Sequence, residues 1–394
     1  MPRFEPFPAV RYDPSRVALD DVIAPPYDVI DAAGEAELAA RSPYNAVHVE
    51  LTSGPGGVNR YHEAHCRFEE WMAEGVLRQD AEPAFYIYRM GYQGSDGALR
   101  QTTGVLGALE LSPFGSGGVL PHERTMPKAK DDRLQLLRAC RVNMSPIWAL
   151  SLASGLSDLC QPAGPPQARA TAADGVHHRV WTVTQSGLME TIQATVASAP
   201  AMIADGHHRY ETALAYRDER RAAGDGAGDH DFVLTYMVEL ADDQLSVGPI
   251  HRVIAGLDDG FDPLTGLASE FELIEQVAPG PDVAERAAAT GAVALVTATG
   301  AWLLRPTDGT TGDEPDSVRL DRALAEWPSH RIGFEHSPAT VLGAVAAGDA
   351  QIGVLLRPAT VAQIAAAARA GHRLPEKTTF FWPKPATGLT FRRV

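Results

Sequence analysis

Cysteine is scarce in this chain of 394 residues, which holds only Cys66, Cys140 and Cys160. An odd total without a Cys-x-x-Cys spacing excludes a disulfide framework and a zinc ribbon, and it points to a reducing compartment. Long apolar runs are also missing. No stretch approaches the roughly 18 residues that a membrane-spanning helix needs, and the opening MPRFEPFPAVRYDP lacks a charged segment followed by an apolar one. A cytoplasmic protein with no membrane partner is therefore expected. Positive charge is in deficit, with 34 Lys and Arg against 50 Asp and Glu and a formal net charge of −16. Nucleic acid is not an expected partner, because binding a phosphate backbone needs a cationic surface that releases counterions. The P-loop pattern G-x-x-x-x-G-K followed by Ser or Thr does not occur, nor does G-x-G-x-x-G or G-x-S-x-G.

What is present is ordinary for a globular protein, with 45% hydrophobic and 21% charged residues. Strand-like and helix-like segments alternate, so a mixed α/β class is expected. NAVHVEL (45–51) reads as a strand, TSGPGGV as a loop, and NRYHEAHCRFEEWMAEGVLR as a helix with Tyr61, Ala64, Phe68, Trp71 and Met72 on one face. AFYIYRMGYQ and LRQTTGVLGALEL read as a β-hairpin. A helix is expected from Asp131 to Cys140 and a strand at SPIWALSL, with 160–175 as a surface connection. HHRVWTV, AMIA and FVLTYMVEL read as strands, LMETIQATVA as a helix, and 221–231 as an exposed loop. The last third holds three helix-like segments, SVRLDRALAEW, PATVLGAVAAGDA and PATVAQIAAAARAG, and one strand-like segment, QIGVLLRP.

Five segments carry candidate chemistry. IADGHHRYETALAYR (203–217) is an apolar run, an Asp-Gly turn and a helix start. Amides at a helix start, together with the helix dipole, favour an anion, and His207, His208 and Arg209 fall in that first turn. Asp205 is placed either to cap the helix or to hold a magnesium ion bridging phosphates. Zinc is disfavoured because adjacent histidines on a helix point about a hundred degrees apart. The second segment, LPHERTMPKAKDDRLQLLRACRVNMSPIWAL (120–150), gathers His122, Glu123, Arg124, Lys128, Lys130 and Arg133; so many cations in an acidic chain imply an anionic partner. In DDVIAPPYDVID (20–31), Pro25 and Pro26 hold an extended backbone that could set Tyr27 and Asp28 at a pocket rim. GPIHRVI (248–254) offers His251 and Arg252, and LPEKTTFFWPKPATGL (374–389) offers Lys377, Thr378, Thr379 and Lys384 among aromatics. Each of the last two segments can equally be plain structure, and the Pro-Pro segment is more often structural.

Taken in order, IAPPYDVI, NAVHVEL, HERTMPKAKDDRLQLLRACRVNMSPIWAL, ADGHHRYETA, PIHRVI and PEKTTFFWPKPATGL resemble a prokaryotic family carrying the unknown-function label DUF1015. DGHHRYETA also resembles the arginine-bearing box of the ParB/sulfiredoxin-like superfamily. That superfamily includes CTP-dependent clamps, sulfiredoxin and kinases of free L-serine. The resemblance implies a ParB/sulfiredoxin-like nucleotide-binding core with large insertions over 1–225, and a C-terminal α/β lobe packed on it over 226–394. It implies a kinase that uses ATP or ADP and magnesium to phosphorylate a small hydroxylated metabolite, L-serine first among them.

On that resemblance Glu123, Asp205 and His207 are catalytic, with Glu123 taking the hydroxyl proton and Asp205 also holding the metal. Gly206, His207, His208, Arg209, Lys128, Lys130 and Arg133 bind the nucleotide. His122, Arg124, Tyr27, Asp28, His251 and Arg252 bind the substrate. Two other classes compete: a ParB-type nucleotide switch without small-molecule transfer, and a sulfiredoxin-type repair enzyme, which needs a reactive cysteine. Cys140, in the apolar LLRACRV, reads as packing rather than a nucleophile.

Overall fold

The computed structural model describes residues 1–51, 59–94, 97–121, 130–258, 260–307 and 314–394, with Lys130 described for its backbone only. The chain divides into two compact units, Met1–Leu245 with Pro383–Val394, and Ser246–Trp382. Both mix helices and sheet, so the expected mixed α/β class holds.

The first unit is built on a nine-stranded sheet. Its strands are β1 (Phe4–Glu5), β2 (Phe85–Gln93), β3 (Leu99–Glu110), β4 (Val119–Pro121), β5 (Ile147–Ser151), β6 (Ala168–Thr171), β7 (His177–Val183), β8 (Ala201–Asp205) and β9 (Phe232–Glu239). The order is β4-β8-β5-β9-β3-β2-β7-β6, with β1 beside β3. Two pairings are parallel, β4 with β8 and β5 with β9, and the rest are antiparallel. The β2–β3 pair is the expected hairpin, in register from Tyr86 opposite Leu106 to Gln93 opposite Leu99.

Five longer helices belong to this unit: α1 (Ala32–Arg41), α2 (Asn59–Ala73), α3 (Lys130–Cys140), α4 (Ser186–Ala197) and α5 (His207–Ala222). Ile192 and Val196 of α4 and Tyr210 and Ala213 of α5 bury against Phe85, Ile87, Val105, Ile147, Ile203 and Val233 of the sheet. A second core joins Tyr61, Ala64, Phe68 and Trp71 of α2 to Val10, Tyr12, Leu136, Cys140 and Phe391. These apolar positions recur every three or four residues, as one buried helix face requires.

Two sequence expectations fail here. NAVHVEL is not a strand, since Val47–Glu50 forms a helical turn. Its cause is Asn45, whose Oδ1 accepts the Val47 N–H at 3.0 Å while its amide donates to the carbonyls of Asp21 and Ile23. Such a local side-chain bond overrides the β-propensity of the two valines. The stretch 160–175, expected as a surface connection, supplies edge strand β6, paired with β7 from Thr171 opposite His177 to Ala168 opposite Val180.

The unit boundary also lies elsewhere than 225/226. β9 is inserted between β3 and β5, so the chain stays in the first unit at least to Glu239, and the units divide after Leu245. Its last residues return to it. Thr387 exchanges two backbone bonds with Ala24, Phe391 exchanges two with Val10, and Arg392–Arg393 pair with Val142–Asn143.

The second unit is an antiparallel six-stranded sheet of β10 (His251–Ala255), β11 (Phe271–Val277), β12 (Val293–Thr297), β13 (Ala301–Pro306), β14 (Arg331–Glu335) and β15 (Ile352–Leu355), ordered β11-β13-β12-β15-β10-β14. Strand residues alternate between two cores. Leu295, Ile352 and Val354 meet Leu320 and Leu324 of α7 (Asp316–Leu324). Ala294, Val296 and Leu355 meet Val283 of α6 (Asp282–Thr290) and Val341 of α8 (Pro338–Ala347). α9 (Val361–Arg369) starts on a capping box of Thr360 and Gln363. No helix among the described residues is long and apolar enough to cross a membrane.

Candidate functional site

The strand–turn–helix expected at residues 201–217 is present, and its details make it a site. β8 is buried from Ala201 through Ala204 and ends on Asp205. Its register against β5 slips between Ile203 and Asp205, and such a bulge re-aims the side chain that follows it. Gly206 then takes the left-handed conformation at φ 88° and caps α5. Only glycine holds that conformation without strain, and a Cβ there would lie 3.0 Å from the Arg209 guanidinium. The cap residue thus offers no side chain to the first-turn amides, in contrast to an Asp, Asn or Ser cap.

Asp205 is not the helix cap. Its Oδ2 accepts from the Arg209 guanidinium at 2.7 Å, and its Oδ1 accepts from the Lys384 ammonium. Burial by itself raises the Asp205 carboxyl, but Lys384 and Arg209 outweigh it and hold the group at about 2. Burial likewise opposes the charge on Lys384, yet Asp205 and Asp28 keep its pKa above the usual lysine value. The Asp28 carboxylate lies 3.8 Å from the same ammonium. This meeting follows from backbone pairing: the Ala24–Thr387 bridge sets the Pro-Pro segment beside the returning chain, and Tyr27–Val29 then forms a 3-10 turn. A further bond fixes that segment, from the Ala386 N–H to the Tyr88 hydroxyl at 3.1 Å.

Arg209 extends the network inward, donating to the Pro146 carbonyl at 2.6 Å and the Ser145 hydroxyl at 3.2 Å. Ser145 in turn donates to Glu50 Oε1 at 2.7 Å. Arg133 donates to the Glu50 carbonyl at 2.7 Å and to Asp132, and its guanidinium lies 4.4 Å over the Tyr27 ring. Asp132 is itself held by Arg60 and the Tyr61 hydroxyl. Arg133 is accordingly a buried brace between the Glu50 backbone and Asp132, and these bonds use one N–H on each of its nitrogens, which leaves further guanidinium N–H groups to take an anion.

The structure therefore brings together Asp205, Gly206, His207, His208, Arg209, Tyr27, Asp28 and Arg133 of the residues expected at the site. His208 Nδ1 is buried without a hydrogen-bond partner among the described residues. His122, Glu123, Arg124 and Lys128 lie outside the described residues, and Lys130 is described only as the first residue of α3. His251 and Arg252 belong to the second unit, on β10, where both are buried. There His251 Nδ1 accepts the Leu356 N–H, and burial lowers its pKa to about 4; Arg252 donates to the Ile250 carbonyl and covers the Phe334 ring at 4.7 Å.

Glu50 is not singled out by the sequence, where NAVHVEL reads as a strand; Lys384 stands in the fifth candidate segment but without an assigned partner. One signal was at hand for Lys384: the chain has only four lysines, Lys128, Lys130, Lys377 and Lys384.

The arrangement does not match a resident magnesium site. Both Asp205 oxygens already accept from cations, and no group of three metal-capable side chains occurs among the described residues. A magnesium ion is commonly held by one or two carboxylates together with substrate phosphates, and here the single carboxylate on the helix start is committed to Lys384 and Arg209. Cys140 sits in the second core beside α2, and burial pushes its thiol up to about 12, against the thiolate chemistry of a repair enzyme.

The family described as "Protein of unknown function (DUF1015)" matches residues 4–323, and the chain belongs to that family. No curated protein matches the chain. Among solved structures, a mutant free serine kinase in complex with ADP is 11% identical over 71% of this chain and 95% of its own, at a TM-score of 0.38. A C-terminally truncated SbnI from Staphylococcus aureus is 13% identical over 73% and 87%, at 0.40, and a conserved hypothetical protein from Pyrococcus furiosus is 12% identical over 69% and 92%, at 0.36. At these scores the likeness is remote.

Proposed function

We propose that the chain is a nucleotide-dependent phosphotransferase acting on the hydroxyl of a small metabolite, with free L-serine as the first acceptor to test. One observation carries this reading: a helix start with a glycine cap directly follows a strand-end carboxylate that two partly buried cations clamp. Helix-start amides and the dipole favour phosphate oxygens, and the adjoining cations can offset charge that builds on a transferring phosphoryl group.

Phosphoryl transfer asks a protein mainly to position groups and balance charge. In this reading the amides at the start of α5, with His207, His208 and Arg209, grip the nucleotide phosphates. The acceptor oxygen attacks the terminal phosphorus, the bond from phosphorus to the nucleotide's bridging oxygen breaks, and that oxygen leaves with the electron pair. The acceptor's proton passes to a carboxylate, a role the motif resemblance gives to Glu123. Asp205 orients Lys384 and Arg209 toward the phosphates. No step is routed through a metal.

The test is a transfer screen over small hydroxy acids with several nucleotides, followed by phosphorus NMR. Acceptor-dependent release of a nucleoside mono- or diphosphate is expected. Glu123→Gln is expected to abolish transfer while nucleotide affinity stays near the parent's. Parental turnover in that variant removes Glu123 as the base. Nucleotide binding without any acceptor-dependent transfer removes the phosphotransferase reading in favour of a switch.

A further inference from the structure

The network behind Arg209 lines a small, partly open cavity of about 50 Å³. Glu50, Arg133, Asn143, Ser145, Arg209 and Thr212 supply its polar lining, and the remainder is apolar. Two of these side chains are incompletely partnered, although both are more than nine-tenths buried: Glu50 is 3% exposed and Thr212 is 4%. Glu50 Oε1 takes the Ser145 hydroxyl, but among the described residues neither Glu50 Oε2 nor Thr212 Oγ1 has a hydrogen-bond partner. Arg133 lines the same space, yet its described bonds go to the Glu50 carbonyl and to Asp132 and not to the Glu50 carboxylate.

A buried carboxylate oxygen without a donor is expensive, and a water, an ion or a ligand must supply what is missing. The missing partner is a donor, and an ammonium group supplies a charge-assisted hydrogen bond, roughly twice as strong as a neutral one. Size narrows the choice. Pockets for drug-sized ligands and cofactors span roughly 300–1,000 Å³, so this one is too small for a nucleotide and fits only the head of a small molecule. The guanidiniums of Arg133 and Arg209 line the same cavity and suit a carboxylate on the same molecule.

We infer that the Glu50 cavity is the acceptor subsite and that it selects a small zwitterionic α-amino acid, with Glu50 Oε2 receiving the ammonium and the Arg133 side carrying the carboxylate. This rests on the phosphotransferase reading for the chemistry that follows binding, but not for the binding itself. It gives Glu50 a recognition role distinct from that of Tyr27 and Asp28 at the Lys384 side of the site. Arg209 joins the two regions, since one guanidinium nitrogen reaches Asp205 and another reaches Ser145.

The experiment is a calorimetric titration of the full chain with L-serine and with glycerate, which keeps the hydroxyl and carboxylate but lacks the ammonium. Each is measured with and without a non-hydrolysable nucleotide. L-Serine is expected to bind at least about tenfold tighter than glycerate, the order set by one charge-assisted hydrogen bond. Glu50→Gln, which keeps the side-chain shape and an acceptor for Ser145, is expected to erase that preference and leave nucleotide binding intact. Equal affinity for the two acids in the unaltered protein overturns the inference, as does a complete lack of serine binding or a preference that survives in Glu50→Gln. The first comparison needs no variant, so a folding failure of Glu50→Gln does not shelter the proposal. Serine binding without transfer defeats only the phosphotransferase reading, whereas transfer to glycerate as readily as to serine defeats only the ammonium site.

Discussion

Lys384→Met is the most informative single perturbation of this site, because methionine keeps much of the buried stem and removes only the charge. In the parent, Asp205 is held at about 2 against an ordinary 3.8. Its folded pKa is depressed, so its stabilising contribution is fully present above the ordinary carboxylate value and is lost as pH falls through about 2. At about 1.4 kcal/mol for each pKa unit, the shift corresponds to about 2 kcal/mol near neutral pH. Without the ammonium, burial pushes the carboxyl up and Arg209, with a smaller contribution from His207, opposes it. The folded pKa must rise, and the acid limb of stability must begin at higher pH. Removing one partner of a buried pair costs about 3–5 kcal/mol; with Arg209 still in contact, the lower end of that range is expected.

The assay is hydrogen exchange over residues 201–215 near pH 7, combined with urea unfolding at several pH values from about 6 down to about 3. The local measurement is needed because two compact units need not unfold as one. The double variant with Asp205→Asn should lose less than the sum of the two single changes, since the pair is in direct contact. Should Lys384→Met match the parent both in protection at the start of α5 and in its acid limb, Lys384 does not hold Asp205 and the clamp described above is wrong.

Gly206→Ala is expected to cost about 1–2 kcal/mol from the left-handed backbone alone and to displace Arg209, the neighbour a Cβ would meet at 3.0 Å. Thermal unfolding and nucleotide titration of the same sample check both effects; unchanged nucleotide affinity would separate the turn from phosphate binding. Alkylation of the native protein followed by mass spectrometry should label Cys66, which is partly exposed, and leave Cys140 and Cys160 unlabelled, since burial pushes both thiols up to about 12. Rapid native labelling of Cys140 would reopen a redox role.

The parts of this site visible in the sequence are those whose cause is local. A buried strand, an Asp-Gly turn and a helical repeat lie within the 15 residues 203–217, so the turn at Gly206 could be read from composition alone. NAVHVEL marks the limit even of local reading. Its alternation suits a strand, yet one asparagine amide bonded to backbone more than twenty residues earlier in the chain selects a helical turn instead. That choice also shapes the proposed acceptor subsite, because the turn ends on Glu50 and places the Glu50 carboxylate in bonding distance of Ser145. Lys384 lies further beyond local reading: it meets Asp205 across 179 positions, after an entire second unit has intervened. No periodicity reports such a contact. The physical signs were indirect, namely a rare lysine in a chain whose cations are nearly all arginine, and a segment at 383–394 that keeps its polar backbone paired by rejoining the first unit at Ala24 and Val10. Those pairings set the position of the segment that carries Lys384, so the geometry of the site is fixed by the return of the chain as much as by the motif that drew attention to it.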